Sequence, residues 1–464
     1  MPIKKDIFIS EILKELEEEN VAVFAGAGLS MPAGYVSWKG LLEPIAKELE
    51  LDIDKEEYDL VSLAQYHVNQ NRDNRSQLNK RLLEEFSREA KITQNHEILS
   101  KLPINTFWTT NYDDLIERSL RNQNKKPDVK FTREHISLTI PKRDAIIYKM
   151  HGDINHPNDA VLTKDDYEKY HKNMDLYVDA LKGDLLTKTF IFIGFSFSDP
   201  NLDYILSRVR LAGKNQRRHY CFIKKVSVKS YKEQADFEYA ERKQKLFIDD
   251  LGRFNIKSIL VDEYNEITNI LKEVEEKFKR KNIFISGAAY EYSTWGREIS
   301  EQFIHDLSKK LIEDDYKIVS GFGLGVGSAV ISGALNAIYS NPSKYSKDDL
   351  ILRPFPQNKT GREFWTQHRI DMIDYAGIAI FIFGNKLENG EIVISNGMRE
   401  EFQIAKEKKL LLIPIGATGY ISEEFWKELK NQFKENTIYD ELGDKTKSPD
   451  EIIDLIIKFL KSNK

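Results

Sequence analysis

Short runs of branched and aromatic residues recur along this chain. Each breaks off into glycine or a small polar residue and then into a longer stretch with helical periodicity. A run that is apolar on both faces is a strand covered by helices above and below, and helix-length crossovers make such strands parallel. The runs are VAVFAG (21–26), TFWTTN (106–111), AIIYKMHG (145–152), TFIFIGFS (189–196), HYCFIKK (219–225) and KSILVD (257–262). Helices are expected at 40–50, 56–70, 75–88, 113–122, 165–183, 199–212 and 231–251. A charged helical run from Glu266 to Lys281 closes this series. A second one starts at once, with strands at 282–289, 316–325, 350–356, 377–385 and 410–419. The fold class is therefore α/β, with two doubly wound parallel-sheet domains, 1–281 and 282–464.

Composition removes several function classes. The formal net charge is −5, and Lys and Arg sit beside Glu or Asp, so there is no basic face for nucleic acid. No apolar stretch reaches the ~18 residues of a membrane span. The N-terminus, MPIKKDIFISEILKELEEEN, reads as an amphipathic helix with Ile7, Ile9, Ile12, Leu13 and Leu16 toward one side, not as a signal peptide. The protein is expected in the cytoplasm. The single cysteine, Cys221, reads as a buried strand thiol; it excludes an intrachain disulfide and any four-cysteine zinc module.

Chemistry-bearing residues gather where apolar strands end, the edge at which such sheets place ligands. In VAVFAGAGLSMPAG (21–34), Gly26, Ala27, Gly28 and Ser30 make a tight turn that lets backbone approach a pyrophosphate. The third glycine of the usual dinucleotide fingerprint is missing, which disfavours an ordinary dehydrogenase. In WTTNYDDLIE (108–117), Asn111 follows two threonines, and Asp113 is either a ligand or a helix cap. His151 ends the run YKMHGD (148–153), unlike His96 and His156, which lie in polar surroundings. In FIGFSFSDPNLD (192–203), Gly194 and Ser196 follow a strand, and Asp199-Pro200 reads as an N-cap with proline at the first helical position.

Taken in order, GAGxS, TxN-x-D, a strand-terminal HG and GxS resemble the sirtuin superfamily over roughly residues 1–280. The resemblance implies that Gly26, Ala27, Gly28 and Ser30 hold NAD phosphates, that Asn111 and Asp113 position the nicotinamide ribose and a water, and that His151 is the catalytic base. Ser196 and Gly194 would complete the NAD site. The zinc cysteines of protein deacylases are absent, and no acyl-peptide segment appears between His151 and Gly194. Water is then the natural acceptor, NAD is substrate rather than cofactor, and no metal is required. The alternatives are a deacylase or ADP-ribosyl transferase, active only with an acceptor, and a nucleotide sensor without turnover. Alanine at Asn111 or His151 is expected to abolish nicotinamide release while leaving the fold intact.

In the second half, Ser286 and Gly287 end a strand, and VSGFGLGVGSAV (319–330) packs four glycines into one strand–helix turn, a backbone nest for phosphate. Arg353, Arg362 and Arg369, then Lys386 and Glu401, flank the following strands. This half resembles the SLOG superfamily of Rossmann-like nucleotide sensors. Gly397 and Glu401 keep the glycine–glutamate spacing of related hydrolases, but the PGG loop is missing, which favours binding over hydrolysis. A sirtuin-like domain followed by a SLOG domain resembles the Thoeris antiphage effector family along the whole chain. The likeness implies an NADase held inactive until the SLOG domain binds a cyclic ADP-ribose isomer made by a TIR-domain partner. It also implies a homotetramer or higher assembly. The signal would be gripped by Ser286, Gly287, Gly321, Phe322, Gly323, Leu324, Arg369, Lys386 and Glu401.

Overall fold

A computed structural model of the protein describes residues 2–55, 59–197, 199–212, 217–356, 359–432 and 437–463. The chain separates into two compact units, the first ending at Glu275 and the second beginning at Glu276, within the helix Asn265–Lys279.

The first unit is built on a seven-stranded sheet. Its strands are β1 (Val21–Ala25), β2 (Thr106–Thr109), β3 (Pro127–Lys130), β4 (Ala145–Lys149), β5 (Thr189–Ile193), β6 (His219–Lys224) and β7 (Ile256–Val261). Their order is β3-β4-β2-β1-β5-β6-β7, and every pairing is parallel. The chain builds outward from β1 on one side, then returns to β1 and builds on the other. The direction of winding thus reverses between β1 and β5, which is where a doubly wound sheet opens a ligand crevice. β1 and β5 are buried at every position, as strands covered on both faces must be. Cys221 lies buried on β6, and burial pushes its thiol up to about 12.

Several elements differ from expectation. β3 was not foreseen: its sequence, PDVK, is polar because it is an edge strand, and Asp128 is satisfied by Lys130 at 2.8 Å and Arg143 at 2.9 Å. The helix expected at 165–183 is two, Lys164–Asn173 and Asp175–Thr187, divided at Met174. The helix expected at 56–70 is described as Leu60–Gln70, capped by Asp59; positions 56–58 lie outside the described residues. A helix Gln94–Lys101 carries His96, which is buried rather than solvated, and burial drops its imidazole to about 4. The first helix, Lys5–Glu17, buries Phe8, Ile9, Ile12 and Leu16, whereas Ile7 is exposed.

The second unit has a five-stranded parallel sheet. Its strands are β8 (Asn282–Ala288), β9 (Lys317–Ser320), β10 (Leu350–Leu352) and β11 (Ile378–Phe383), then, after the antiparallel hairpin β12 (Asn385–Glu388) and β13 (Glu391–Ile394), β14 (Leu411–Pro414). The order β10-β9-β8-β11-β14 again reverses beside its first strand, between β8 and β11. Both units are thus Rossmann-like. Among the described residues no helix is long and apolar enough to cross a membrane.

Candidate functional site

Register decides what meets at the open edge of the first sheet. Ala25 pairs with Thr109 and with Ile193, and Thr109 pairs with Lys149, so four strands end in one row. Gly26 and Gly194 are the first residues past that row, and Asn111 and His151 are each two past it.

The β1 and β5 turns lock together through backbone. The Gly26 amide donates to Ile193 O at 3.0 Å, and the Gly28 amide to Gly194 O at 2.9 Å. A methyl group on Gly26 would lie 2.5 Å from Gly194 O, and one on Gly28 would lie 2.8 Å from Gly194 Cα. Gly194 itself has φ +63, and a side chain there would run into the Leu29 amide. Gly194→Ala is therefore expected to cost about 1–3 kcal/mol of stability and to raise the KM for substrate, read by thermal melting and initial rates. A variant with the parent's melting temperature and KM would show that the turn adapts. Ala27 opens the short helical turn Ala27–Ser30.

Asn111 is tied into the same junction. Its Nδ2 donates to Gly26 O at 3.0 Å and to Ser30 Oγ at 3.1 Å. Because a carbonyl can only accept, the first bond fixes which end of the amide is nitrogen. Asn111 Oδ1 therefore has no protein partner among the described residues. Thr109 Oγ1 accepts from the Asn111 amide at 2.9 Å and donates to Ala25 O at 3.0 Å, setting the loop's direction. Asp113 is buried and accepts from the Leu115 amide at 3.1 Å; burial holds its carboxyl above the ordinary value. Ser196 is exposed on the turn after β5.

His151 is 4% exposed, beside the edge of Tyr167 at 5.5 Å between ring centroids. Its Nε2 lies 3.0 Å from Asp199 Oδ2, close but short of the alignment of a full hydrogen bond. Such contacts commonly tighten once substrate is bound. The sequence gives Asp199 only as a helix cap. It is that too, accepting from the Asn201 and Leu202 amides at 2.9 and 3.0 Å.

A second residue escapes notice in the sequence. Lys149 is completely buried, and its Nζ donates to Tyr112 O at 3.0 Å, Asp113 O at 2.7 Å, Glu117 Oε1 at 3.2 Å and Asp153 Oδ2 at 2.5 Å. One ammonium thus ties the loop carrying Asn111 to the segment carrying His151. Burial works against its charge, but the Glu117 and Asp153 carboxylates outweigh it and raise the Lys149 amine. Beyond Tyr167, a cavity of about 500 Å³ opens between Trp38, Ser62, Lys164, Tyr167 and Asn201.

The second unit repeats the plan with different chemistry. Glu401 is buried and accepts from Ser286 Oγ at 2.6 Å. Arg369 stands 3.5 Å from Glu401 and 2.8 Å from Glu400, with its guanidinium over the Phe355 and Trp365 rings at 5.0 and 5.7 Å. Burial raises the Glu401 carboxyl, opposed by Ser286 and Arg369. A side chain on Gly397 would meet Arg369 Nη2 at 2.8 Å, so the glycine leaves room for the guanidinium. Gly287 and Gly323 lie backbone to backbone, with no space for a Cβ at Gly323; Gly321 lies against Phe355 and Met372. Phe322 (φ +57) and Leu324 are exposed on the same turn, at 50% and 69%. These residues surround one sheet edge. Lys386 stands apart on β12, paired with Glu388 at 2.8 Å.

Comparison with known proteins agrees with this division. Residues 105–248 match the model of a SIR2-like domain, and residues 266–463 match that of the Sir2- and TIR-associating SLOG family. The chain is 53% identical to the NAD(+) hydrolase ThsA of Bacillus cereus (strain MSX-D12), over 98% of both chains. It is 48% identical to the NAD(+) hydrolase ThsA of Cytobacillus dafuensis, over 99% of this chain and 97% of that one. It is 26% identical to the defense-associated sirtuin 2 of Bacillus subtilis, over 66% of this chain and 31% of that one.

Proposed function

The chain belongs to the ThsA family of NAD(+) hydrolases, and from that premise we propose that its N-terminal unit cleaves the nicotinamide–ribose bond of NAD with water under control of its C-terminal unit. What supports the first half is the meeting of a glycine turn, a buried amide and a buried imidazole at the β1/β5 switch point. The Gly26–Ser30 turn, with Gly194 beneath it, receives the pyrophosphate, and Asp113 and Ser196 complete the dinucleotide site. Loss of nicotinamide leaves an oxocarbenium-like ribosyl centre. Asn111 Oδ1, unspent on protein, accepts from the attacking water and orients it. His151 takes the proton, help that is worth about 10²–10⁴-fold in rate. A pyridinium already leaves as a neutral molecule, so this chemistry asks for no metal.

The second half concerns control. A matched family described as Sir2- and TIR-associating supports a TIR-domain protein as partner, and the signal is a cyclic ADP-ribose isomer that this partner makes. Arg369 meets its phosphates, Ser286 and Glu401 its hydroxyls, and the Gly287 and Gly321–Leu324 backbone its pyrophosphate, with Lys386 approaching from the hairpin. Switching between inactive and active states nearly completely requires roughly 10⁴-fold tighter binding to the active one. The active form is a homotetramer or higher assembly in the cytoplasm that depletes NAD during phage infection.

The test is incubation of the full chain with NAD, with and without cyclic ADP-ribose isomers, and chromatography of the products. Nicotinamide and ADP-ribose should appear together and rise with one isomer. Release only on adding an acylated peptide would make the protein a deacylase, and equal turnover without any isomer would remove the gate. Arg369→Ala should raise the isomer concentration for half-activation by about 10-fold or more, the value of a charge-assisted hydrogen bond. An unchanged activation curve would put the signal elsewhere.

A further inference from the structure

Asp199 is a buried carboxylate with no part in the proposed bond cleavage. It is 7% exposed and lies among aromatic rings. Tyr167 donates to its Oδ2 at 3.4 Å from helix Lys164–Asn173. Burial first, with the Asp199 charge contributing, raises the hydroxyls of Tyr112, Tyr167 and Tyr170 around it. Among the described residues no lysine or arginine pairs with Asp199; its ion contact is His151. Removing a carboxylate this far from water costs several kcal/mol unless charge and hydrogen bonds offset it. The Asn201 and Leu202 amides serve Oδ1, so Oδ2 is shared between the Tyr167 hydroxyl and the imidazole.

We infer that Asp199 is a positioning residue for NAD cleavage: it holds His151 by Nε2–H and so presents Nδ1 as the proton acceptor. The inference rests on His151 acting as base. The C–N bond to nicotinamide breaks with its electron pair staying on the pyridine nitrogen, and the water oxygen bonds to the anomeric carbon. The water's proton passes to Nδ1, and the imidazolium sits against an Asp199 that stays ionised. The proton then leaves to solvent. Among the described residues Nδ1 has no hydrogen-bond partner, as an acceptor waiting for substrate requires. Burial alone would push the Asp199 carboxyl up, but His151 and the two amides outweigh it and hold it below its ordinary value, so the carboxylate persists well into acid. The cap adds rigidity, because the first turn of helix Pro200–Ala212 fixes where the carboxylate points.

Asp199→Asn separates the two tasks, since asparagine caps a helix as well as aspartate but carries no charge. In the full chain, assayed with NAD under the activating isomer, kcat should fall about 10²-fold with little change in KM and in melting temperature. Asp199→Glu should recover part of the loss. In the unsubstituted protein, ¹⁵N-labelled histidine should show His151 as the Nε2–H tautomer. An Asn variant with the parent's kcat, while His151→Gln is inactive, overturns the inference alone; so does the Nδ1–H tautomer. Full activity in His151→Gln would overturn the proposed base, and this inference with it.

Discussion

Asn111→Ala should cut NAD cleavage by about 10²–10³-fold, the loss found when one positioned polar group is removed from a reacting centre. The substitution deletes two hydrogen bonds, to Gly26 O and Ser30 Oγ, so stability should fall by only about 2 kcal/mol. Chromatography of nicotinamide and a thermal melt read both effects. Cleavage within a few-fold of the parent would remove Asn111 from the reaction. His151→Ala carries the same kinetic expectation but a different structural one. It leaves Asp199 buried without the imidazole beside it, so an intact fold, expected from sequence, no longer follows. Glutamine is the better replacement, because its amide can still donate to Asp199.

Lys149→Met should destabilise the first unit by about 3–5 kcal/mol, as breaking a buried ion pair does. That corresponds to a drop on the order of 10 °C in its melting temperature. Methionine fills much of the volume but leaves Glu117 and Asp153 buried without a cation. In the parent, the Lys149 amine is raised, so its contribution is complete below about pH 10.4 and is lost as pH climbs through the raised value. In the variant, the unpaired carboxyls resist ionisation in the fold, so the deficit should shrink as pH falls from about 7 to about 5. Calorimetry at both pH values checks this; a deficit independent of pH would mean that the lost packing matters more than the charge. NAD cleavage should fall as well, since the tie between the Asn111 loop and the His151 segment is gone.

The sheet was legible because its central strands have no solvated face. VAVFA and TFIFI admit no other reading than strands buried on both sides, and the glycine turns after them mark the ligand edge. β3 was not legible, since PDVK has no apolar run, and its Asp128 and Lys130 are buried as an ion pair with Arg143 beside them. The β12–β13 hairpin carried a signal that a reading for charge alone passes over. Asn389-Gly390, with φ of 53° and 85°, is the two-residue turn that joins twisted antiparallel strands. Lys149 and Asp199 were hidden for another reason. A lysine at a strand end and an aspartate before proline both have ordinary surface explanations. Only the tertiary fold shows that the Glu117 carboxylate and the Tyr112 and Asp113 carbonyls surround the first, and that the second faces an imidazole 48 positions away in the chain (199 − 151). His96 erred in the opposite direction, since polar neighbours in sequence said nothing about the apolar wall its helix packs against.

The interlocking of Gly26, Gly28 and Gly194 limits how this family can diversify. Two main-chain segments meet there with no room for a single added carbon, so that part of the cleft is closed to evolutionary tinkering by substitution. A descendant with a taste for a different dinucleotide would have to change side chains around the cleft, because these peptide groups offer nothing to replace.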